Sequence, residues 1–331
     1  MRFEAMRSNR IEELRLTLWK QMVFIRLVEE RIASEYEKQA MRCPIHLSIG
    51  QEATAVGICA CLSNHDRVFS THRCHSHYLA LGGSLDEMIA ELHGKITGCN
   101  GGRGGSMHLS AINQGLLASV PIVASAIPLA AGTALADKID NRDSISVSFF
   151  GDACMEEGIF FETINFAQLN SLPILFVCEN NFFSVYTSID RRQSFETPEK
   201  TVASFGVKTF RADGNDVLDI YDVASAAIEY IRQESAPAFL VADTYRWREH
   251  CGPNYDDHLG YRDQREVSDW LGRDPIEKQA NELRNLGSID DTFIAQVVDD
   301  INSQIDRSFV LADEADLPQS QLAEFYVYDD R

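Results

Sequence analysis

Two apolar runs, each ending in polar residues that neither a strand nor a helix needs, constrain this chain more than any other feature. Residues 144–150 read SISVSFF and stop at Gly151-Asp152; residues 174–178 read ILFVC and stop at Glu179-Asn180-Asn181. Their length, β-branched and aromatic content and punctuation are those of strands buried on both faces of a parallel sheet. The segment between them predicts a helix over 156–170. It spaces Ile159, Phe160, Thr163, Ile164, Phe166 and Ala167 near a helical period, with Glu156 and Glu157 in the first turn. Strand, helix and strand make a βαβ unit, so both polar clusters fall at the carboxyl ends of strands. That edge is where an open α/β sheet binds ligands.

Asp152 offers a carboxylate oxygen there and Asn181 a neutral amide oxygen. Hard oxygen donors suit Mg²⁺, which shares its shell with water and phosphates, and the first amides of the following helix are suited to a phosphate. Taken singly, Gly151-Asp152 reads as a turn with an N-cap and Asn180-Asn181 as a left-handed turn. Placed at two matching strand ends, they point to a metal and phosphate site.

Composition narrows the function further. A net charge of −20 argues against nucleic acid, which needs clustered Lys and Arg. No apolar run approaches the roughly 18 residues of a membrane span, and the charged start MRFEAMRSNRIEELRLTLWK does not read as a signal peptide. The expectation is a soluble, cytoplasmic protein with no membrane partner. Eight cysteines contain no CxxC pair, and nine histidines complete no zinc spacing, so reduced thiols are expected.

The rest of the chain fits the same plan. Leu14, Leu18, Met22, Ile25 and Ile32 predict helix over 11–39, with further helices over 52–62, 85–92, 128–138 and 217–233. Strands are predicted at 67–70, 207–210 and 238–242, and a long polar loop at 244–261. The glycines of 94–105 are no Rossmann fingerprint, since no strand precedes them. The expected organisation is an N-terminal helical segment (1–40), an α/β domain (41–274), and a helical extension with an acidic tail (275–331). The tail carries Phe325, Tyr326 and Tyr328, which suit either docking on a partner or a frayed end.

GDA at 151–153 followed by ENN at 179–181 resembles the thiamine diphosphate motif, usually GDG…NN. With GGRGGSMHLS at 101–110, IPLAAGTALADK at 127–138 and TYRWREHCGP at 244–253, residues 11–274 resemble the alpha subunit of the 2-oxo acid dehydrogenases of the pyruvate and acetoin type. The resemblance implies a mostly parallel sheet flanked by helices, the phosphate-binding half of a transketolase-like fold. It also implies thiamine diphosphate and Mg²⁺ as cofactors. On that pattern Asp152, Asn181 and the carbonyl of Phe183 hold the metal. Gly151, the amides of Ala153 and Cys154, and Arg73 with His72 hold the diphosphate. Pro121 and Val123 meet the aminopyrimidine, and His46, His75 and His250 serve the substrate, His250 also touching the cofactor.

Departures are local. His72 replaces a tyrosine, Pro121 and Ala153 replace glycines, and Cys251 stands where some members carry a phosphorylatable serine. Pro121 keeps its carbonyl acceptor, and Ala153 keeps its amide provided its φ is negative. The family's activating glutamate belongs to a beta subunit. The resemblance therefore implies an α₂β₂ assembly, with that subunit's transketolase-like pyrimidine domain completing the site and a lipoyl-bearing acyltransferase accepting the acyl group. Two other readings stay open: a carboligase giving the acyl group to an aldehyde, ketone or sugar, and a non-catalytic scaffold or regulatory homologue. The unusual sequence around 247–255 motivates the first of these.

Overall fold

The computed structural model describes residues 2–194 and 197–320, so Phe325, Tyr326 and Tyr328 lie outside the described residues. Its strands are β1 (Arg67–Ser70), β2 (Leu116–Ser119), β3 (Ser146–Gly151), β4 (Ile174–Asn180), a short hairpin of β5 (Phe183–Ser184) and β6 (Thr187–Ser188), then β7 (Lys208–Asp213) and β8 (Ala238–Asp243). Six of them form one sheet in the order β2-β1-β3-β4-β8-β7, every pair parallel. The helices are α1 (Arg2–Glu35), α2 (Glu52–Cys59), α3 (His75–Ala80), α4 (Leu85–Leu92), α5 (Ala126–Ile139), α6 (Gly158–Leu169), α7 (Pro198–Ala203), α8 (Val217–Glu234), α9 (Gln264–Leu271), α10 (Pro275–Asn285) and α11 (Asp291–Glu314). The α/β class is as expected from the central strands.

Alternation along the strands divides the core between the two faces of the sheet. Leu175 and Val177 of β4 join Val147, Phe149 and Leu240 in a core shared with α1, α2, α8 and α11. Ile174, Phe176 and Cys178 join Phe150, Phe239 and Val241 in a second core under α5 and α6. Both faces are covered, so β4 is buried at every position. That is why residues 174–178 are an unbroken apolar run rather than an alternating one.

Besides the short elements α3, α7, α9 and the β5–β6 hairpin, which the sequence reading does not contain, two differences bear on the site. Strand β2 is absent from the sequence reading: it is four residues long, lies at the sheet edge with β1 as its neighbour in the sheet, and is buried only at its two end residues. The helix expected from residue 156 begins at Gly158, because Asp152–Glu156 forms a 3₁₀ turn first. Tighter 3₁₀ turns are common at helix starts. Here the turn keeps Gly151–Cys154 at the strand end instead of carrying them into the helix.

The glycine-rich loop has a specific organiser. Glu91, buried on α4, accepts hydrogen bonds from the amides of Asn100 (2.8 Å), Gly102 (2.9 Å), Gly104 (2.6 Å) and Gly105 (3.1 Å). Such a ring of backbone donors is an anion nest, filled by the chain's own carboxylate. Gly102 has φ +76°, and a Cβ there would lie 2.5 Å from the Gly94 backbone, so the loop closes only with glycine at that position. Glu91→Ala leaves these buried donors unsatisfied. It is expected to cost about 3 kcal/mol or more, read as a lower midpoint in calorimetric or denaturant unfolding.

Candidate active site

The parallel sheet brings four strand ends to one cavity of about 240 Å³. Thr71, His72 and Arg73 follow β1, Val120 to Ala124 follow β2, Gly151 to Cys154 follow β3, and Glu179 and Asn181 close β4. Strand order reverses direction around β1, whose neighbours are β2 and β3. The cavity thus sits at the topological switch point, where such sheets bind ligands. His46, Gln51 and His250 reach it from loops, and Phe183 to Val185 from the hairpin.

Arg73 dominates the electrostatics of one wall. It is buried, yet its guanidinium meets only neutral groups: Nη1 donates to the Leu47 carbonyl at 2.7 Å and Nη2 to the His250 carbonyl at 3.1 Å. Among the described residues no carboxylate lies within ion-pair distance of it. Burial, with Arg246 adding repulsion and the more distant Glu29 and Glu179 opposing, pulls its pKa down to about 9. A buried cation without an acid is costly, and an anion in the cavity would relieve that cost.

Three imidazoles adjoin it. The ring centroids of His46, His72 and His250 lie 4.6, 5.1 and 5.2 Å apart, and Arg73 Nη2 is 3.4 Å from His250 Nδ1. Burial first, then Arg73, pulls His46 to about 2 and both His72 and His250 to about 3, so all three are neutral near pH 7. His46 Nδ1 is buried with no hydrogen-bond partner. Neutral imidazoles in this arrangement could ligate a transition metal, but the guanidinium beside His250 opposes a cation there. The cluster is better suited to an anion.

His75 is placed differently from its expectation. It is fully buried at the start of α3 and does not line the cavity. Its Nδ1 meets Glu29 Oε1 at 2.8 Å and its Nε2 meets Ser106 Oγ at 2.7 Å. With both nitrogens occupied, His75 has no atom left for a substrate. Its contacts brace α3 against α1 and the glycine-rich segment.

Across the cavity stands the oxygen set. Asp152 is buried, and burial pushes its carboxyl upward against the opposing pull of Arg192, its ion-pair partner. Asn181 lines the cavity and donates to Gln51 Oε1 at 3.2 Å, while its own Oδ1 accepts from the Phe183 amide at 3.3 Å. Asn180 instead turns toward β8, donating to Asp243 Oδ1 at 2.8 Å. A Cβ placed on Gly151 would meet no atom within 4 Å, so the glycine leaves open space at the cavity floor. Ala153 is not among the residues of positive φ, so its methyl is unstrained and its amide is kept. Pro121 and Val123 both line the opening.

Residues that sequence reasoning did not single out are Gln51, Glu179, Thr71 and Met107 in the lining, and Arg192 behind it. Glu179 and Met107 sit inside quoted motifs and could have been found there. Arg192 had no local signal, because its partner is distant in sequence. Among residues 247–255 only His250 lines the cavity. Arg248 is committed to Glu30, to the Pro253 carbonyl and to the Tyr255 ring, so the unusual residues of this loop brace it rather than face a substrate.

The model of the dehydrogenase E1 component family matches residues 20–321. This chain belongs to that family. The pyruvate dehydrogenase E1 component subunit alpha of Zymomonas mobilis is 34% identical over 312 residues, 94% of this chain and 87% of that protein. The alpha subunit of the acetoin:2,6-dichlorophenolindophenol oxidoreductase of Bacillus subtilis is 32% identical over 319 residues, 96% and 94% of the two chains. The corresponding pyruvate dehydrogenase subunit of Porphyra purpurea is 37% identical over 270 residues, 80% and 78%. The E1 family is thiamine diphosphate-dependent, and its alpha subunits act with a beta subunit. No helix among the described residues is long and apolar enough to cross a membrane.

The neutral histidines make a signed prediction. Their folded pKa values lie below the ordinary value of about 6.5, so the unfolded chain binds protons that the folded one refuses. Their contribution to stability is full above that value and is lost as pH falls toward about 3. Melting temperature is expected to drop between pH 7 and pH 5, and the drop is expected to be smaller in His72→Tyr. Equal slopes in both proteins would count against a neutral cluster.

Proposed function

We propose that this chain is the alpha subunit of a thiamine diphosphate- and Mg²⁺-dependent 2-oxo acid dehydrogenase. It would decarboxylate a 2-oxo acid and pass the acyl group to a lipoyl-bearing partner. The observation that carries the reading is Arg73, a buried guanidinium with neutral partners only, lining a cavity that also holds Asp152 and Asn181. One wall asks for an anion and the other carries hard oxygen donors, Asn181 and Asp152 with its resident partner Arg192, a combination that suits a metal diphosphate.

The donor set fits the cofactor. Asp152, Asn181 and the Phe183 carbonyl would supply hard oxygen ligands for Mg²⁺. Arg73, His72 and the amides of Ala153 and Cys154 would hold the diphosphate, with the open floor at Gly151 giving it room. Pro121 and Val123 would meet the aminopyrimidine. When bound, thiamine diphosphate supplies the electron sink that decarboxylation of a 2-oxo acid requires. His250 and His46 would orient the substrate carboxylate and handle protons at their ring nitrogens.

A partner chain is needed for the remainder. Glu52 cannot be the activating acid: it is fully buried, ion-paired to Arg26, and accepts from the Gly50 amide at 3.1 Å. Glu179 lines the cavity with a carboxylate oxygen 3.4 Å from His77 Nε2, and it belongs to the ENN motif rather than to the family's activating position. The cavity mouth carries Ile122, 72% exposed, together with exposed Val123 and Val185. An apolar rim of this kind supports closure by a beta subunit in an α₂β₂ assembly.

Two measurements test the reading. The purified chain is expected to decarboxylate 2-oxo acids only when its beta partner is added; robust turnover by the chain alone would overturn the half-site assignment. In the assembled enzyme, His250→Ala is expected to lower kcat on the order of 10²-fold while sparing cofactor affinity. Normal turnover per folded molecule would remove His250 from the catalytic set.

A further inference from the structure

The proposed metal ligand already has a cation beside it. Arg192, just beyond the β5–β6 hairpin, directs Nη2 to Asp152 Oδ2 and Nη1 to Glu156 Oε1, while its Nε donates to the Thr187 carbonyl at 3.0 Å. The Asp152 and Arg192 side chains are only 1% and 8% exposed. Gln193 adds a second attachment, its Nε2 donating to the Asp152 carbonyl at 2.9 Å and to Glu156 Oε1 at 3.0 Å. Two consecutive side chains thus fasten one loop to the acids at the end of β3.

A buried carboxylate needs a counter-ion, and removing its partner leaves an uncompensated charge. Two cations at one carboxylate repel each other, the more strongly where water is excluded. The metal and Arg192 therefore draw on the same charge. We propose that Arg192 is a resident counter-ion of the metal site: it neutralises Asp152 until the divalent cation arrives, and metal entry weakens its hold on the 187–193 segment. The proposal rests on the reading of Asp152 as a metal ligand. It makes Arg192 a positioning residue that sets metal affinity without touching substrate.

The test measures Mn²⁺ binding, by calorimetry and by paramagnetic resonance, to the αβ assembly without thiamine diphosphate. Wild type, Arg192→Gln, Arg192→Lys and Asp152→Asn are compared. Arg192→Gln is expected to bind Mn²⁺ on the order of tenfold more tightly, with Arg192→Lys close to wild type. Metal-free Arg192→Gln is also expected to melt below wild type, the gap narrowing at saturating Mn²⁺. Unchanged or weaker affinity in Arg192→Gln, with binding still lost in Asp152→Asn, would overturn the counter-ion role alone. Undiminished binding in Asp152→Asn would overturn the metal assignment itself, a separate failure.

Discussion

A buried guanidinium without a carboxylate is the interaction on which the site depends. Arg73 is fixed by the Leu47 and His250 carbonyls, and burial, reinforced by its charge, holds the neighbouring imidazoles neutral. Opposite it, Asp152 is satisfied by Arg192 from the far side of the same strand end. The cavity is thus polarised before any ligand enters, one wall short of an anion and the other occupied by the Asp152–Arg192 pair. Such preorganisation is possible because parallel strands deliver their carboxyl ends, and the residues that follow them, to a single edge.

Where burial is complete, the sequence was transparent. β3 and β4 are buried almost throughout because helices cover both faces, so apolar residues dominate them and the polar residues at their ends stand out by contrast. Strand β2 was opaque because a four-residue edge strand has one neighbour and no buried run. The helix start was misplaced for a related reason. Glu156 and Glu157 look like first-turn acids, yet Glu156 ends a 3₁₀ turn and serves Arg192.

Among the candidate site residues, those directly following strands were the legible ones. His72, Arg73, Asp152 and Asn181 share one cavity because their strands are neighbours. His75 shows the limit of that reasoning. It lies two residues beyond Arg73, but as the first residue of α3 it is turned inward to Glu29 and Ser106. Arg192 illustrates the converse, since its meeting with Asp152 is a tertiary contact that no local spacing announces. The glycine-rich segment was legible as a loop but not as a built one, because its organising carboxylate, Glu91, lies on the preceding helix.

The central claim is that the two walls together bind a metal diphosphate. The most direct measurement is a calorimetric titration of thiamine diphosphate into the assembled enzyme, with and without Mg²⁺, for wild type and Arg73→Gln. The account gives tight binding only with Mg²⁺ present, and a large loss of affinity in Arg73→Gln even at saturating metal. Equal affinity with and without Mg²⁺, or an unaffected Arg73→Gln variant, would contradict it.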